Sequence, residues 1–142
     1  MANQATMIVD KMMKKDMFTK WLGIERLEEG EGYCKLRMTI RDEMCNGFDI
    51  AHGGICYSLA DSALSFASNS HGKHALSIET SISHLIAIKS GTVIYATARE
   101  LSLRNFLGTY EVRIETEENQ LAAFFKGTVF LKNTSWNNTN GL

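Results

Sequence analysis

Between Cys45 and Asn69 the chain reads CNGFDIAHGGICYSLADSALSFASN, a polar, glycine-bearing opening followed by a helical pattern without proline. Placed at about 100° per residue, Ile55, Cys56, Leu59, Ala60, Ala63, Leu64, Phe66 and Ala67 fill one arc. Tyr57, Ser58, Asp61, Ser62, Ser65, Ser68 and Asn69 fill the other. The apolar arc is broad, and alanines make much of it small. A helix with such a face can lie close against a sheet, so the spacing predicts a central helix wrapped by strands. Everything else in the chain has to supply that wrapping.

The remainder is suited to do so. From Leu22 the hydrophobic period shortens, and LGIERLEEGEGYCKLRMTI reads as two strands around a Glu-Gly-Glu-Gly turn. Tyr33, Leu36, Met38 and Ile40 are its partly alternating apolar positions, and RDEMCNG is a polar turn into the helix. After a break at Gly72, ALSIETSISHLIAI has period two, with Leu76, Ile78, Thr80, Ile82 and His84 expected on one face. TVIYATARELSLRN, FLGTYEVRIET and LAAFFKGTVFLK follow as three long strands, turning at Arg104–Asn105 and Glu117–Gln120. Ahead of them all, residues 5–20 read as one short amphipathic helix covering the end of a sheet. Its apolar side is marked by Met7 or Ile8, Met12, Met13, Met17 and, just beyond, Trp21. One apolar-faced helix against one long antiparallel sheet is an α+β arrangement.

Composition narrows the function classes. A chain of 142 residues, 44% hydrophobic and 22% charged, builds one ordinary globular core. A formal net charge of −1 gives no general pull toward nucleic acid or an anionic membrane. The three cysteines, Cys34, Cys45 and Cys56, form no disulfide framework and suit reduced thiols in a cytoplasmic protein. The first sixteen residues contain no apolar run of the kind a signal peptide or membrane span requires.

Two features make the central helix more than a scaffold. Its first turn offers unsatisfied N–H groups at the positive end of the helix dipole, able to hold a carbonyl oxygen or an oxyanion. Glycines at 53 and 54 leave those amides unshielded and let a ligand approach the backbone closely. Asp61 lies two turns further, about 12 Å along the axis from Gly53. It cannot reach an oxygen held at its own helix start. An antiparallel companion helix would bring one chain's glycine amide opposite the other's Asp61. Other chemistries find less support. His52 and Cys56 have a metal-compatible spacing but no third ligand nearby, and Cys56 falls in the apolar arc. His71 and His74 flank Gly72 in a turn and read as surface histidines. The chain contains no G-x-S-x-G elbow, Walker loop or G-x-G-x-x-G fingerprint.

Asn46, Gly47 and the run HGGICYSLADSALSFA resemble the signature of hotdog-fold acyl-CoA thioesterases of the PaaI-like, phenylacetate-pathway branch. There an asparagine precedes HGG, and LAD-x-A follows several residues later. SIETSISHL, GTVIYATAREL, RNFLGTYEVRI and AAFFKGTVFL continue the resemblance strand by strand, from about Leu22 to Lys132. It implies a hotdog fold: one long central helix wrapped by a curved antiparallel sheet, with a short N-terminal helix. That domain would span residues 1–134, with a polar, frayed tail over 135–142. It also implies hydrolysis of an acyl-CoA to the free acid and coenzyme A, with phenylacetyl-CoA the leading substrate and medium-chain acyl-CoA close behind.

By the same resemblance the Gly53 amide polarises the thioester carbonyl across a dimer interface. Asp61 either activates water as general base or attacks directly as nucleophile. His52 and Asn46 stand near the thioester, His52 chiefly as a hydrogen bonder that fixes the turn. Ser77 is either a water-orienting hydroxyl or a serine packed on the sheet. Gly54 belongs to the substrate-binding turn. Lys89, Arg99, Arg104 and Lys126 are candidates to meet the phosphates of coenzyme A, with Arg104–Asn105 the best placed. No metal or other cofactor is implied, and the assembly expected is a dimer or a tetramer made of two dimers. The chain departs from the family where a strand-ending basic-then-proline pair is replaced by SHLIAIKSG, which bears on the acyl pocket and not on Asp61 or Gly53. A hotdog hydratase or dehydratase is the first rival, and the HGG-to-LAD spacing argues against it. A noncatalytic acyl-CoA sensor is the second, yet the residues before the first strand are too few for a helix-turn-helix.

Overall fold

A computed structural model of the protein describes residues 2–137. Its elements are α1 (Gln4–Met13), α2 (Met17–Leu22), β1 (Glu25–Gly30), β2 (Tyr33–Thr39), a 3-10 turn at Asp42–Met44, α3 (Gly53–Asn69), β3 (Lys73–His84), β4 (Val93–Arg104), β5 (Leu107–Thr116) and β6 (Leu121–Ser135). The six strands pair antiparallel in one sheet of order β1-β2-β4-β5-β6-β3, and α3 packs against its inner face. This is the hotdog arrangement anticipated from the sequence. No helix among the described residues is long and apolar enough to cross a membrane.

The core is the apolar arc of α3 set against inward residues of every long strand. β2, β4 and β5 alternate cleanly, burying Cys34, Leu36 and Met38, then Ile94, Ala96 and Ala98, then Tyr110, Val112 and Ile114. Cys34 takes the inward phase, so Tyr33 points outward, where the Arg99 guanidinium stacks 5.0 Å from its ring centre. Small residues set how closely helix and sheet approach. Ala60, Ala63 and Ala67 are fully buried, and a Cβ on Gly127 of β6 would stand 2.7 Å from Leu64 Cδ2. Glycine at 127 is a requirement of that close contact.

Two local readings differ from the sequence expectation. Residues 5–20 form two helices, because the Asp16 side chain caps a new one, accepting from Thr19 N at 2.9 Å and Thr19 Oγ1 at 2.8 Å. The phase changes with the break. Ile8, Val9, Thr19 and Leu22 are buried, while Met17 and Trp21 face outward, 70% and 65% exposed. In β3, a bulge between Ser77 and Glu79 inserts a residue and switches the faces. Ala75 and Ser77 lie toward α3 before it, and Thr80 and Ile82 after it, while Leu76 and Ile78 are turned outward. β3 also stops at His84, as Leu85 N and Ile86 N bond to Ala122 O and the chain turns away.

The end of α3 is fastened to its surroundings by one buried side chain. Asn69 Nδ2 donates to Ser65 O at 2.8 Å and Ala75 O at 3.1 Å, while Oδ1 accepts from Ala75 N at 2.9 Å and Trp136 Nε1 at 2.7 Å. The helix C-terminus, the first residues of β3 and the C-terminal tryptophan are joined at a single amide. Trp136 also packs edge-on to His74, so the expected frayed tail is anchored through residues 135–137, and 138–142 lie outside the described residues. Asn69→Ala strands several of these groups and is expected to cost about 2 kcal/mol, read as a lower urea midpoint at unchanged m-value.

Candidate active site

β3 runs back along α3, and the two form a rigid pair that carries most of the candidate residues. Ser77 meets Asp61 and Ser65 around one cavity. Further along, the Tyr57 hydroxyl bonds Thr80 Oγ1 at 2.7 Å. At the far end, His84 lies against Gly53. The sequence motif is thereby divided between two places separated by two helical turns.

The first place is the start of α3. Residues 45–52 form a loop pinned by Cys45–Ala51 and Ile50–Lys89 bridges and by His52 N donating to Met44 O at 2.8 Å. Asn46 shapes it: Oδ1 accepts from Phe48 N at 2.9 Å, making the short turn that lets Asp49 adopt a φ of 58°. His52 is the N-cap, and its Nδ1 accepts from Gly54 N at 2.9 Å. Ile55 N is held by His52 O at 2.8 Å. Of the two glycine amides expected to be unshielded, Gly54 is therefore occupied, because the histidine ring folds over it. The Gly53 N–H has no acceptor among the described residues. It is the free donor of the first turn, backed by the helix dipole.

The second place is the cavity around Asp61, about 200 Å³, bounded by Leu64, Ser65, Ser68, Ala75, Leu76, Ser77 and Val129. Asp61 forms no hydrogen bond or ion pair among the described residues, and burial pushes its carboxyl above the ordinary aspartate value. The folded protein therefore binds this proton more tightly than the unfolded chain does. Stability credited to the protonated form is present at low pH and lost as pH rises through the folded value. Asp61→Asn is accordingly expected to melt above the wild type at neutral pH. The gap should close on acidification below the unfolded aspartate value of about 3.9, as a differential scanning series would show.

The other candidates are dispersed within the chain. Arg104 and Asn105 form the β4–β5 turn, where Asn105 has a φ of 54°. Through the pairs Leu107–Phe130 and Phe130–Leu76 that turn faces the Ser77 end of β3. Lys126 sits between inward Phe125 and Gly127 and so points to the outer face of the sheet. Lys89 lies beside the 45–52 loop. Arg99 is stacked on Tyr33. A single chain does not gather these cations at one point. Cys56 is buried with its thiol pushed up to about 11, so at neutral pH it is a protonated, packed side chain and not a thiolate nucleophile. His84 was not singled out by sequence reasoning, because only the antiparallel course of β3 along α3 brings position 84 to position 53.

Comparison with known proteins bears on this arrangement. The profile of the thioesterase superfamily matches residues 48–123. A putative esterase of Archaeoglobus fulgidus is 42% identical over 126 residues, covering 89% of this chain and 82% of that one. The acyl-coenzyme A thioesterase PaaI of Escherichia coli is 32% identical over 127 residues, covering 89% and 91%. The solved structure of the E. coli PaaI protein, from the phenylacetic acid degradation operon, superposes with a TM-score of 0.91 over 93% of this chain and 96% of that chain.

Proposed function

The chain belongs to the thioesterase superfamily, in its PaaI-like branch, and on that premise we propose that it hydrolyses acyl-CoA thioesters with Asp61 and Gly53 as the central groups. The observation that carries the reading is the pairing of a free N–H at the start of α3 with an unpartnered, half-buried carboxylate on the same helix. A thioester carbonyl needs one to receive its developing negative charge. It needs the other to activate water or to attack.

Within one chain these groups stand too far apart, so the reading requires two. β3 is an edge strand with only β6 beside it, and its outward Leu76 and Ile78 are each 59% exposed. Antiparallel pairing of two β3 strands about a two-fold axis would continue the sheet and lay the α3 helices side by side in opposite directions. Gly53 of one subunit would then face Asp61 of the partner subunit, giving two sites per dimer. A tetramer would follow if two such dimers packed together.

In this site the thioester oxygen accepts from Gly53 N–H, and Asp61 takes the proton of an attacking water or forms an anhydride that water opens. The carbon–sulfur bond breaks, and coenzyme A leaves as the thiolate. His52 holds the turn, Asn46 shapes the loop that leads to it, and Ser77 is positioned beside Asp61 to orient the water. Arg104 and Asn105 are the favoured contacts for the nucleotide end. The reaction uses only the chain's own groups and water, in the cytoplasm. Phenylacetyl-CoA is the leading substrate, supported by the similarity to E. coli PaaI. The test is thiol release from phenylacetyl-, benzoyl- and hexanoyl-CoA by the wild type and Asp61→Asn. Turnover lost in the variant while acyl-CoA binding persists supports the reading. Binding without turnover by either protein refutes it.

A further inference from the structure

We infer that His84 is a second hydrogen-bond donor to the thioester carbonyl oxygen, acting beside the Gly53 amide. This rests on the proposed thioesterase site and extends it. The ring of His84 closes over the helix start: its Nε2 lies 3.0 Å, and its Cε1 3.4 Å, from where a Cβ on Gly53 would stand. A Cβ on a helix is tilted toward the N-terminal end, so an Nε2 this close to that position lies beside the first turn of α3, the turn to which the free Gly53 N–H belongs.

The neighbouring groups leave this role to His84. His52 has its Nδ1 committed to Gly54 N. The Gly54 amide is consumed by that bond, and Ile55 N by His52 O. The His84 ring makes no hydrogen bond among the described residues, and the side chain is open to solvent at the end of β3. An imidazole with a free N–H beside an unpaired backbone N–H makes a two-donor pocket for one oxygen. Glycine at 53 is what permits it, since any side chain there would meet the ring. An oxyanion bound by two donors is better stabilised than one bound by the amide alone.

The test uses the full-length protein with phenylacetyl-CoA and hexanoyl-CoA. His84→Phe keeps a planar ring and removes the donor. His84→Asn restores a shorter N–H donor. For the faster substrate, His84→Phe is expected to lower kcat about 10- to 100-fold with KM little changed, and His84→Asn to recover part of the loss. A second measurement reads the oxygen itself: the infrared carbonyl band of carbonyl-13C phenylacetyl-CoA bound to Asp61→Asn. That band should lie below its position in water, and adding His84→Phe should move it back upward. Undiminished kcat in His84→Phe, or a band indifferent to position 84, overturns the inference and leaves the thioesterase reading standing. Absence of hydrolysis by the wild type overturns both.

Discussion

Asp61→Asn is expected to lower kcat by about 10²–10⁴-fold while leaving acyl-CoA affinity largely intact. The substitution is nearly isosteric and removes no protein hydrogen bond among the described residues, so the fold is kept. Its one expected response is the higher melting temperature at neutral pH that relief of a buried charge brings. The loss should come from the chemical step alone. The pH dependence offers a second signature. Because burial raises the Asp61 carboxyl above its ordinary value, the acid limb of kcat/KM should lie above that of a solvated aspartate. Activity rises with pH through that limb as the base ionises, and the residual activity of Asp61→Asn should lack it. Steady-state kinetics across an acidic-to-neutral series measures both effects.

Gly53→Pro is the second large effect, and it isolates one hydrogen atom. Proline removes the N–H that would receive the carbonyl oxygen, and the first residue of a helix is where proline is best tolerated. The preceding residue is already suited to it: His52 has φ −59° and ψ 138°, in the extended region a residue before proline adopts. The expected result is a fall in kcat of about 10²–10³-fold, the scale found for deleting an oxyanion donor, with a melting temperature close to that of the wild type. Gly53→Ala supplies the control. It meets the same His84 ring, at 3.0 Å, but keeps its N–H, and should lose far less. A proline variant as active as the alanine variant would remove the amide from the mechanism.

Much of this architecture was legible in the residues. α3 starts at the glycine pair and ends before Gly72 as its wheel and punctuation required, and β4, β5 and β6 are long alternating strands between polar turns. Period is a short-range property, and it survives folding wherever the sheet is regular. What escaped notice was decided by single side chains or by distant contacts. Asp16 resembles any charged residue in a lysine-rich stretch until its carboxylate caps Thr19 and divides the helix. The bulge after Ser77 has no sequence marker, yet it turns Leu76 and Ile78 outward and keeps Ser77 beside Asp61. At the site, HGG announced two available amides, and only the rotamer of His52 shows that one is taken. Of the four cations, Arg99 and Lys126 lie on the outer face of the sheet in one cross-strand row through Glu111, while Lys89 sits by the 45–52 loop and Arg104 at the β4–β5 turn, a separation that composition could not reveal.

One continuous helix bears the amide at its first residue and the carboxylate two turns on, and this predicts a genetic behaviour. If each site borrows one half from a neighbouring subunit, two crippled proteins can repair each other. A hybrid of a Gly53→Pro chain with an Asp61→Asn chain would collect both lesions in one site and leave the other wild type. Co-expressed in equal amounts and pairing at random, the two dead variants should regain about a quarter of the parental turnover. Independent active sites would regain nothing.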